Sequence, residues 1–264
     1  MPINDDLGRR MKENYEEITQ YKLTRRTPVV IRLDGRAFHT FTKGFSKPFD
    51  RELNNAMERT ALYLCKNIQG CKLAYTQSDE ITLILTDYDT LETNAWFDYK
   101  LQKMCSIAAS MATMKFNQIF AELANEYIDY IAAMQDFDIE EEQKHVAAYK
   151  RALEQGAMFD ARCFNVPKEE VANLIVWRWM DAKRNSIQMI GQANFSHKEL
   201  QGKTCANIIE MLETVDPWDY YCKHYLYGTI IYKFEGVWNC FAAPDNHEDL
   251  RFIVNKEIGY DEDK

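Results

Sequence analysis

The chain has 264 residues, of which 46% are hydrophobic and 28% are charged. This composition is that of a folded protein with a sizeable core, and it excludes a disordered or collagen-like chain. The formal charge of −9 argues against a protein that coats nucleic acid through bulk positive charge, although it leaves room for a localised basic groove.

Cysteine spacing and hydropathy narrow the possible classes further. The seven cysteines are an odd number without CxxC or CxxxC spacing, so we expect reduced structural thiols and neither a disulfide framework nor a thiolate zinc site. No apolar stretch approaches the roughly 18 residues of a membrane span, and the polar N-terminus has no signal-peptide core. We therefore expect a cytoplasmic protein without a membrane segment.

The first third of the chain predicts a helix, a strand and a second helix. Residues 5–26 are charge-dense and are typical of a short helix followed by a basic connector. The β-branched run at 29–33 predicts a buried strand that ends at Asp34 and Gly35. Residues 48–68 carry the apolar period of a helix.

The middle third predicts a hairpin, a long helix and a strand. Two apolar runs, 72–76 and 81–85, flank the tetrapeptide QSDE and indicate a β-hairpin with its acids at the turn. Residues from about 94 to 130 predict helical structure interrupted near Phe116. The stretch 136–155 is expected to be a solvated excursion, and 159–166 another strand.

The last third adds helices and one strand. A capping box at 196–199 precedes a helical segment, and 228–234 alternates like a strand. The acidic tail at 236–264 is expected to be partly disordered. This order of elements favours an α+β fold with helices on one face of a mostly antiparallel sheet.

Two acids carry the chemistry that the sequence suggests. Asp34 at a strand end and Asp79 at the hairpin meet if the two strands are sheet neighbours. Two carboxylates and a backbone carbonyl beside Asp34 are oxygen ligands that suit Mg²⁺, and two such ions promote phosphoryl or nucleotidyl transfer. Gly35, without a Cβ, would let a triphosphate approach the backbone. The alternative is that Asp-Gly and Ser-Asp-Glu are ordinary turn sequences.

The sequence around these acids resembles that of a known family. The runs IRLDGRAFH at 31–39, FSKP at 45–48 and AYTQSDE at 74–80 resemble the signature blocks of the histidine-tRNA guanylyltransferase family. Further matches are Trp96-Phe97, Phe159-Asp160 with Arg162, Trp177-Arg178 with Asp181, and Tyr227-Gly228-Thr229. Together they cover residues 5 to 235 in order, which is more specific than one short motif.

The resemblance implies a fold and a domain organisation. It implies a single catalytic domain, 1–264, built on a polymerase-palm-like antiparallel sheet with a ferredoxin-like core, helices on one face and a helical C-terminal extension. The palm-like core would cover about 27–135 and continue through 158–235, and 236–264 would form the acidic extension.

One departure from the family pattern bears on substrate. Eukaryotic members carry a His-Ile-Asn-Asn-Leu-Tyr-Asn block where this chain reads KRNSIQM at 183–189, which keeps the asparagine at Asn185. This resembles the guanylyltransferase-like branch of bacteria, archaea and phages. The resemblance implies template-dependent 3′ to 5′ addition that repairs 5′-truncated tRNA, with a histidine-tRNA enzyme that adds a 5′ G as the alternative.

The resemblance also implies roles for individual residues. It makes Asp34, Asp79 and the Gly35 carbonyl the ligands of two Mg²⁺ ions, with Glu80 as a further catalytic acid. The alternative for Glu80 is a hydrogen bond to a neighbouring side chain. The expected nucleotide-binding residues are Asp34, Gly35, Arg36, Ala37, Phe38, His39, Lys47, Ser78, Asp79, Lys100 and Lys103. The expected RNA-binding residues are Arg25, Arg26, Lys183, Arg184, Asn185 and Lys198, with Trp177 and Trp179 available for stacking.

The implied mechanism has two steps in one site. The tRNA 5′-monophosphate attacks ATP to give an adenylylated end, and the 3′-hydroxyl of an incoming NTP, commonly GTP, then displaces AMP. The expected partners are tRNA, nucleoside triphosphates and further copies of the chain in a homotetramer. The competing interpretations are a palm-type nucleotide cyclase, which acts on NTP alone, and a non-catalytic RNA-binding palm.

Overall fold

The computed structural model describes residues 6–134, 139–215 and 217–261. The helices in these residues are α1 (Asp6–Met11), α2 (Phe38–Phe41), α3 (Arg51–Asn67), α4 (Leu101–Ala133), α5 (Ile139–Gln155), α6 (Lys168–Asn194), α7 (His197–Leu200), α8 (Cys205–Leu212), α9 (Lys223–Tyr227) and α10 (His247–Ile258). The strands are β1 (Val29–Gly35), β2 (Cys71–Gln77), β3 (Glu80–Leu85), β4 (Phe159–Asn165), β5 (Thr229–Phe234) and β6 (Val237–Ala242). Shorter helical turns lie at Lys12–Glu16, Glu17–Thr19, Trp96–Tyr99 and Trp218–Tyr220.

The strands form one sheet in the order β4-β1-β3-β2-β5-β6, and each pair of neighbours is antiparallel. Strands β1 to β4 with helices α3 and α4 follow the β-α-β-β-α-β pattern of a ferredoxin-like unit. The predicted α+β class with an antiparallel sheet is therefore confirmed, and β5 and β6 extend the sheet beyond β2.

Each face of the sheet is covered by its own hydrophobic core. Along β1, Val29, Ile31 and Leu33 pack with α3 and α4, whereas the intervening Val30 packs with α6, α8 and α10. This alternation is the period of two that a strand imposes on its side chains. The helices of the ferredoxin-like unit lie on one face, as predicted, and the C-terminal helices cover the other.

Helix α4 differs from its prediction because it is continuous. Phe116, where we expect an interruption, is fully buried and stacks on Phe120 at 5.8 Å between ring centroids. It also contacts Phe38 and Phe159, so α4 meets the end of β1 and the start of β4 in one aromatic cluster. An aromatic-rich stretch of this kind lowers helix propensity locally, but burial of the rings outweighs that cost.

Two other segments are more ordered than their charge suggests. The charged stretch before β4 forms α5, in which Tyr149 and Ala152 are fully buried. The part of it at 135–138 lies outside the described residues. In the acidic tail, β6 joins the sheet and α10 buries Leu250 and Val254. A charged helix with one apolar stripe is compatible with such packing.

The predicted capping box at 196–199 is confirmed, with Ser196 and Glu199 as its two partners. Asp50 caps α3 by accepting a hydrogen bond from the Leu53 amide at 2.9 Å. All seven cysteines are free thiols. Among the helices described here, none combines the length and hydropathy that crossing a bilayer requires.

A buried ionic cluster fastens α6 to the sheet. Both carboxylate oxygens of Glu80 accept hydrogen bonds at 2.7 Å, one from Arg178 Nε and one from Arg32 Nη2. Arg178 also donates to Asp181 at 2.9 Å, and the Trp177 ring lies 4.5 Å from its guanidinium carbon. Glu80 and Arg178 are each at least nine-tenths buried, so their charges are compensated within the cluster rather than by water. Arg32 Nε is buried without a hydrogen-bond partner among the described residues.

Gly228, just before β5, tests how tightly the edge of the core is packed. Its φ is +78°, and a Cβ there would lie 2.6 Å from the Tyr75 hydroxyl and 2.8 Å from the Thr76 carbonyl oxygen. We expect Gly228→Ala to lower the free energy of unfolding by about 3 kcal/mol, since it combines backbone strain with a steric clash. Gly236→Ala, with φ of +81° and open space at the Cβ, should cost about 1 kcal/mol. Equal losses in urea unfolding would contradict this packing.

The ionic cluster predicts a large cost for removing one partner. We expect Arg178→Met to lower the free energy of unfolding by about 3 to 5 kcal/mol, because Glu80 keeps a buried and only half-compensated charge. Adding Glu80→Gln should recover part of the loss. Arg184→Met in the same helix, where the side chain is 67% exposed, should cost less than about 1 kcal/mol. A similar loss for Arg178→Met and Arg184→Met would show that Glu80 is not held in this way.

Candidate active site at the ends of β1 and the β2–β3 hairpin

The site begins where β1 ends. Asp34 is the penultimate residue of β1, and the sheet register places it opposite Glu80 in β3 and Asp160 in β4. Directly opposed residues of antiparallel strands share a face of the sheet. Three carboxylates therefore form a row across three strands on the face that α6 covers, and the sequence alone did not identify Asp160 as a member of it.

The hairpin brings Asp79 to the same strand end. Ser78 and Asp79 form the two-residue connection between β2 and β3, and Ser78 has a φ of +50° in the left-handed region. The Gly35 amide donates a hydrogen bond to the Asp79 carbonyl oxygen at 3.0 Å. This backbone bond joins the end of β1 to the hairpin turn, so the two predicted metal ligands lie on adjacent segments.

Two carboxylates of this site, those of Asp34 and Asp79, carry uncompensated negative charge. Burial raises the pKa of Asp79, and the charges of Asp34 and Glu80 act in the same direction against hydrogen bonds from its own backbone and Ser78. Glu80 is neutralised by its arginines. Within the described part of the chain, neither Asp34 nor Asp79 has a basic partner, and Ser78 Oγ donates to Asp79 at 3.1 Å. A bound cation would relieve this repulsion.

These donors fit Mg²⁺ better than a metal enclosed by protein. No group of three His, Cys, Asp or Glu side chains in the described ranges is arranged to hold a metal. Mg²⁺ does not require one, since it keeps several waters and is usually bound by one or two carboxylates together with substrate phosphates. Asp34 and Asp79, with the Gly35 carbonyl, match that ligand set.

Glu80 has a different environment from the one expected for a catalytic acid. Each of its oxygens is already hydrogen-bonded to an arginine, so it is not free to bind a metal or a substrate in this arrangement. Its place beside Asp79 in the chain gives it a positioning role instead, because it holds β3 and α6 together directly behind the hairpin turn.

Gly35 is required by packing, for a reason that differs from the expected one. A Cβ at this position would lie 2.3 Å from the ring of Phe38, so the ring of α2 folds back over the glycine. The Gly35 and Arg36 amides donate to the carbonyls of Asp79 and Met158. Among the amides expected to contact phosphate, those of Ala37, Phe38 and His39 have no carbonyl partner in the described structure.

A cavity opens beside these carboxylates. It has a volume of about 480 Å³, and we call it the carboxylate pocket. Its lining comprises Gly35, Ala37, Phe38, His39, Thr42, Phe45, Ser46, Lys47, Pro48, Asp50, Leu53, Ser78, Asp79 and Met189. Lys47 and His39 are exposed, so the pocket joins a lysine and a histidine to Asp79 at the hairpin turn, as a triphosphate site requires.

The predicted Lys100 and Lys103 lie elsewhere. Lys100 precedes α4 rather than lying on it, so the two lysines do not share a helix face in the expected way. Both line a separate cavity with Glu16, Gln20 and Tyr21. Lys103 Nζ lies 4.6 Å from the ring centroid of Phe97. No residue of that cavity also lines the carboxylate pocket.

The predicted basic connector serves the fold. Arg25 forms an ion pair with buried Asp87 and donates to the Thr93 carbonyl at 2.9 Å. The Arg26 amide donates to Asp87 at 2.7 Å, and its guanidinium donates to the Thr90 carbonyl. These bonds fix the loop after β3, so the two arginines are less available to RNA than their exposure suggests.

The remaining RNA-binding candidates differ in accessibility. Lys183 Nζ lies 5.5 to 5.8 Å from the ring centroids of Trp179, Trp218 and Tyr227, which is cation–π geometry. Arg184 and Lys198 are exposed.

The two tryptophans of this region have different environments. Trp179 is buried and belongs to the core, whereas Trp177 is 53% exposed beside Arg178. Of the two, Trp177 keeps the surface that stacking on a base requires.

A second cavity adjoins the carboxylate pocket. It has a volume of about 80 Å³ and is lined by Phe49, Asp50, Leu53, Asn54, Gln77, Ser78, Ala182, Asn185, Ser186, Met189, His224 and Tyr225. We call it the amide pocket, since Asn54, Gln77 and Asn185 supply three amide side chains. It shares Asp50, Leu53, Ser78 and Met189 with the carboxylate pocket. Sequence reasoning identified Asn185 and Ser78 and missed His224, which no local motif marks.

Comparison with known proteins gives one consistent result. A model of the tRNAHis guanylyltransferase family (Thg1) matches residues 8–167. An uncharacterised protein of Acanthamoeba polyphaga mimivirus is 29% identical over 244 residues, which is 88% of this chain and 78% of that protein.

Two solved structures share the fold. A bacterial tRNA(His) guanylyltransferase-like protein in complex with ATP is 38% identical, with a TM-score of 0.78, and covers 94% of this chain and 98% of its own. A bacterial protein of the same description in complex with GTP is 35% identical, with a TM-score of 0.72, and covers 96% and 99%.

The matched residues include both strand ends that form the site. The predicted resemblance is thereby confirmed, and with it the enzyme class, since tRNA guanylyltransferases are nucleotidyltransferases. Because the family model covers more than half of the chain, the chain belongs to the tRNAHis guanylyltransferase family.

Proposed function

We propose that the chain is a Mg²⁺-dependent 3′ to 5′ nucleotidyltransferase that adds nucleotides to the 5′ end of tRNA according to a template. The observation that carries this proposal is the uncompensated pair Asp34 and Asp79 at adjacent strand ends, of which Asp79 lines a pocket that also contains Lys47. Similarity to proteins that bind ATP and GTP supports nucleoside triphosphates as substrates.

Two Mg²⁺ ions would be held by Asp34, Asp79 and the Gly35 carbonyl. When bound, they would neutralise phosphate charge and favour departure of pyrophosphate or AMP. The protein contributes the fixed geometry: the backbone bond from Gly35 to Asp79 and the pairing of β1 with β3 keep the ligands together without a substrate. This preorganisation is the main contribution of a protein to phosphoryl transfer.

Both reaction steps use the same groups of the protein. First, an oxygen of the RNA 5′-monophosphate bonds to the α-phosphorus of ATP, and pyrophosphate leaves. Then the 3′-hydroxyl oxygen of an incoming NTP bonds to the activated 5′-phosphorus, AMP leaves, and the hydroxyl loses its proton. Lys47 would bind phosphate oxygens in each step, and no side chain becomes covalently attached. His39 lines the pocket and is the expected candidate for carrying the proton.

The segment 183–189, which departs from the eukaryotic family block, favours the guanylyltransferase-like branch of the family. Within 183–189, Asn185, Ser186 and Met189 line the amide pocket next to Ser78. The substituted Ser186 and Met189, together with the retained Asn185, therefore lie beside the hairpin turn, where we expect a change of sequence to alter which RNA end is accepted. This supports template-dependent repair over the alternative of a histidine-tRNA enzyme.

RNA binding by this acidic chain depends on local positive charge at its surface. An acidic chain must hold RNA through a local groove, and the exposed Arg184, Lys198 and Trp177 are its candidates. We further propose a homotetramer in the cytoplasm, in which neighbouring copies combine such patches. The tetramer would elute near four times the 31.1 kDa mass of the chain in size-exclusion chromatography with light scattering.

The proposal predicts templated growth of an RNA end. We expect a 5′-monophosphorylated tRNA lacking its first nucleotide, given Mg²⁺, ATP and each NTP singly, to grow only with the nucleotide complementary to the opposing base. Product length resolved to one nucleotide checks this. Addition of G whatever the opposing base would show the histidine-tRNA activity, and products from NTP without RNA would show a cyclase.

The metal ligands predict a selective loss of activity. We expect Asp79→Asn to reduce extension at least about 1000-fold, since one of two ionised ligands is lost. The fold and the unfolding transition should be retained, because burial of the ionised carboxylate is unfavourable. Asp89→Asn, which removes an exposed partner of Lys72 beyond the other end of β3, is the control and should keep full activity. Undiminished turnover by Asp79→Asn would exclude the two-ion mechanism.

A further inference from the structure

The amide pocket contains a histidine that is held in one orientation. His224 Nδ1 lies 2.8 Å from Glu58 Oε1 and 2.7 Å from Thr229 Oγ1. Thr229 Oγ1 donates to the same Glu58 oxygen at 2.5 Å, and Asn54 Nδ2 donates to it at 3.1 Å. Side chains of two elements, α3 and β5, thus converge on one edge of the imidazole that α9 carries.

The cluster defines which ring nitrogen carries the proton. Burial alone would raise the pKa of Glu58, but hydrogen bonds from His224, Thr229 and Asn54 outweigh burial and lower it. Glu58 is therefore an ionised acceptor, and Nδ1 must carry a hydrogen to bond it. In the neutral ring Nε2 is then an acceptor, and no described residue hydrogen-bonds this nitrogen.

The lining of the pocket indicates what Nε2 would meet. His224 lines the amide pocket, which contains no lysine or arginine and so offers little to a triphosphate. The pocket offers amide side chains, the Met189 side chain and the ring of Phe49, which stacks on the Tyr225 ring at 4.8 Å between centroids. This mixture of polar and apolar groups suits a nucleoside. The pocket shares Ser78 with the carboxylate pocket, so a nucleotide can extend from one into the other.

We propose that His224 is a further substrate-contacting residue, whose Nε2 accepts a hydrogen bond from a ribose hydroxyl or base N–H of a nucleoside bound in the amide pocket. Glu58 and Thr229 are its positioning residues. This proposal rests on the proposed function, because that function supplies the two possible sources of the nucleoside. They are the incoming NTP and the terminal nucleotide of the RNA.

Two substitutions separate contact from structure. The amide of Asn overlays the Nδ1 edge, so His224→Asn keeps the donor to Glu58 and loses the group at Nε2. The longer Gln places an amide near Nε2, so His224→Gln keeps a polar group for the ligand and loses the bond to Glu58. A contact role predicts that Asn raises KM about tenfold and Gln about threefold or less. A merely structural role predicts that Gln is the more damaging variant and that Asn resembles the wild type.

The assay measures KM for NTP and for truncated tRNA separately, with thermal unfolding of each variant. A higher KM for NTP in His224→Asn, with a smaller penalty for 2′-deoxy NTP than in the wild type, identifies the NTP ribose. A higher KM for RNA alone identifies the RNA end. If both KM values of His224→Asn lie within twofold of the wild-type values, the proposal is overturned.

Failure of the proposed function would be visible independently. If the wild type extends no RNA, the dissociation constants of ATP and GTP are measured by fluorescence titration on the wild type and both variants. Weaker nucleotide binding by His224→Asn than by His224→Gln still supports the contact, and equal binding by all three proteins overturns it.

Discussion

The site depends on holding two like charges together without a compensating partner. Asp34 and Asp79 lie on segments joined by the β1–β3 pairing and by the hydrogen bond from the Gly35 amide to the Asp79 carbonyl. Repulsion between carboxylates opposes this arrangement, and the raised pKa of Asp79 reflects it together with burial. The many hydrogen bonds of a six-stranded sheet offset that cost, so the fold keeps the two carboxylates together.

The surroundings of the pair explain why its charge stays available. Glu80 follows Asp79 in the chain and accepts hydrogen bonds from Arg178 and Arg32. Both arginines are therefore engaged by Glu80 and do not neutralise Asp34 or Asp79. The same cluster fixes α6, which supplies Asn185 and Met189 to the amide pocket. One buried network therefore positions the hairpin and the helix that forms the opposite wall of the substrate cavity.

The sequence predicted what depends on local pattern and missed what depends on tertiary contacts. The strand ending at Gly35, the hairpin at Asp79 and the capping box at Ser196 all follow from short motifs and are confirmed. The continuity of α4 through Phe116 and the packing of α10 could not be predicted, because both depend on burial against distant elements. His224 contacts Glu58 although the two residues are far apart in the sequence, so no rule of residue spacing could reveal this contact.

The central claim is that Asp34, Asp79 and the Gly35 carbonyl bind divalent ions together with a triphosphate. Crystals grown with Mn²⁺ and a non-hydrolysable ATP analogue test it directly by anomalous diffraction. The account predicts Mn²⁺ peaks in the carboxylate pocket within about 2.2 Å of oxygens from both aspartates, as expected for hard six-coordinate ions. Nucleotide bound in the pocket without a metal at either aspartate, or metal at Glu80 instead, would contradict it.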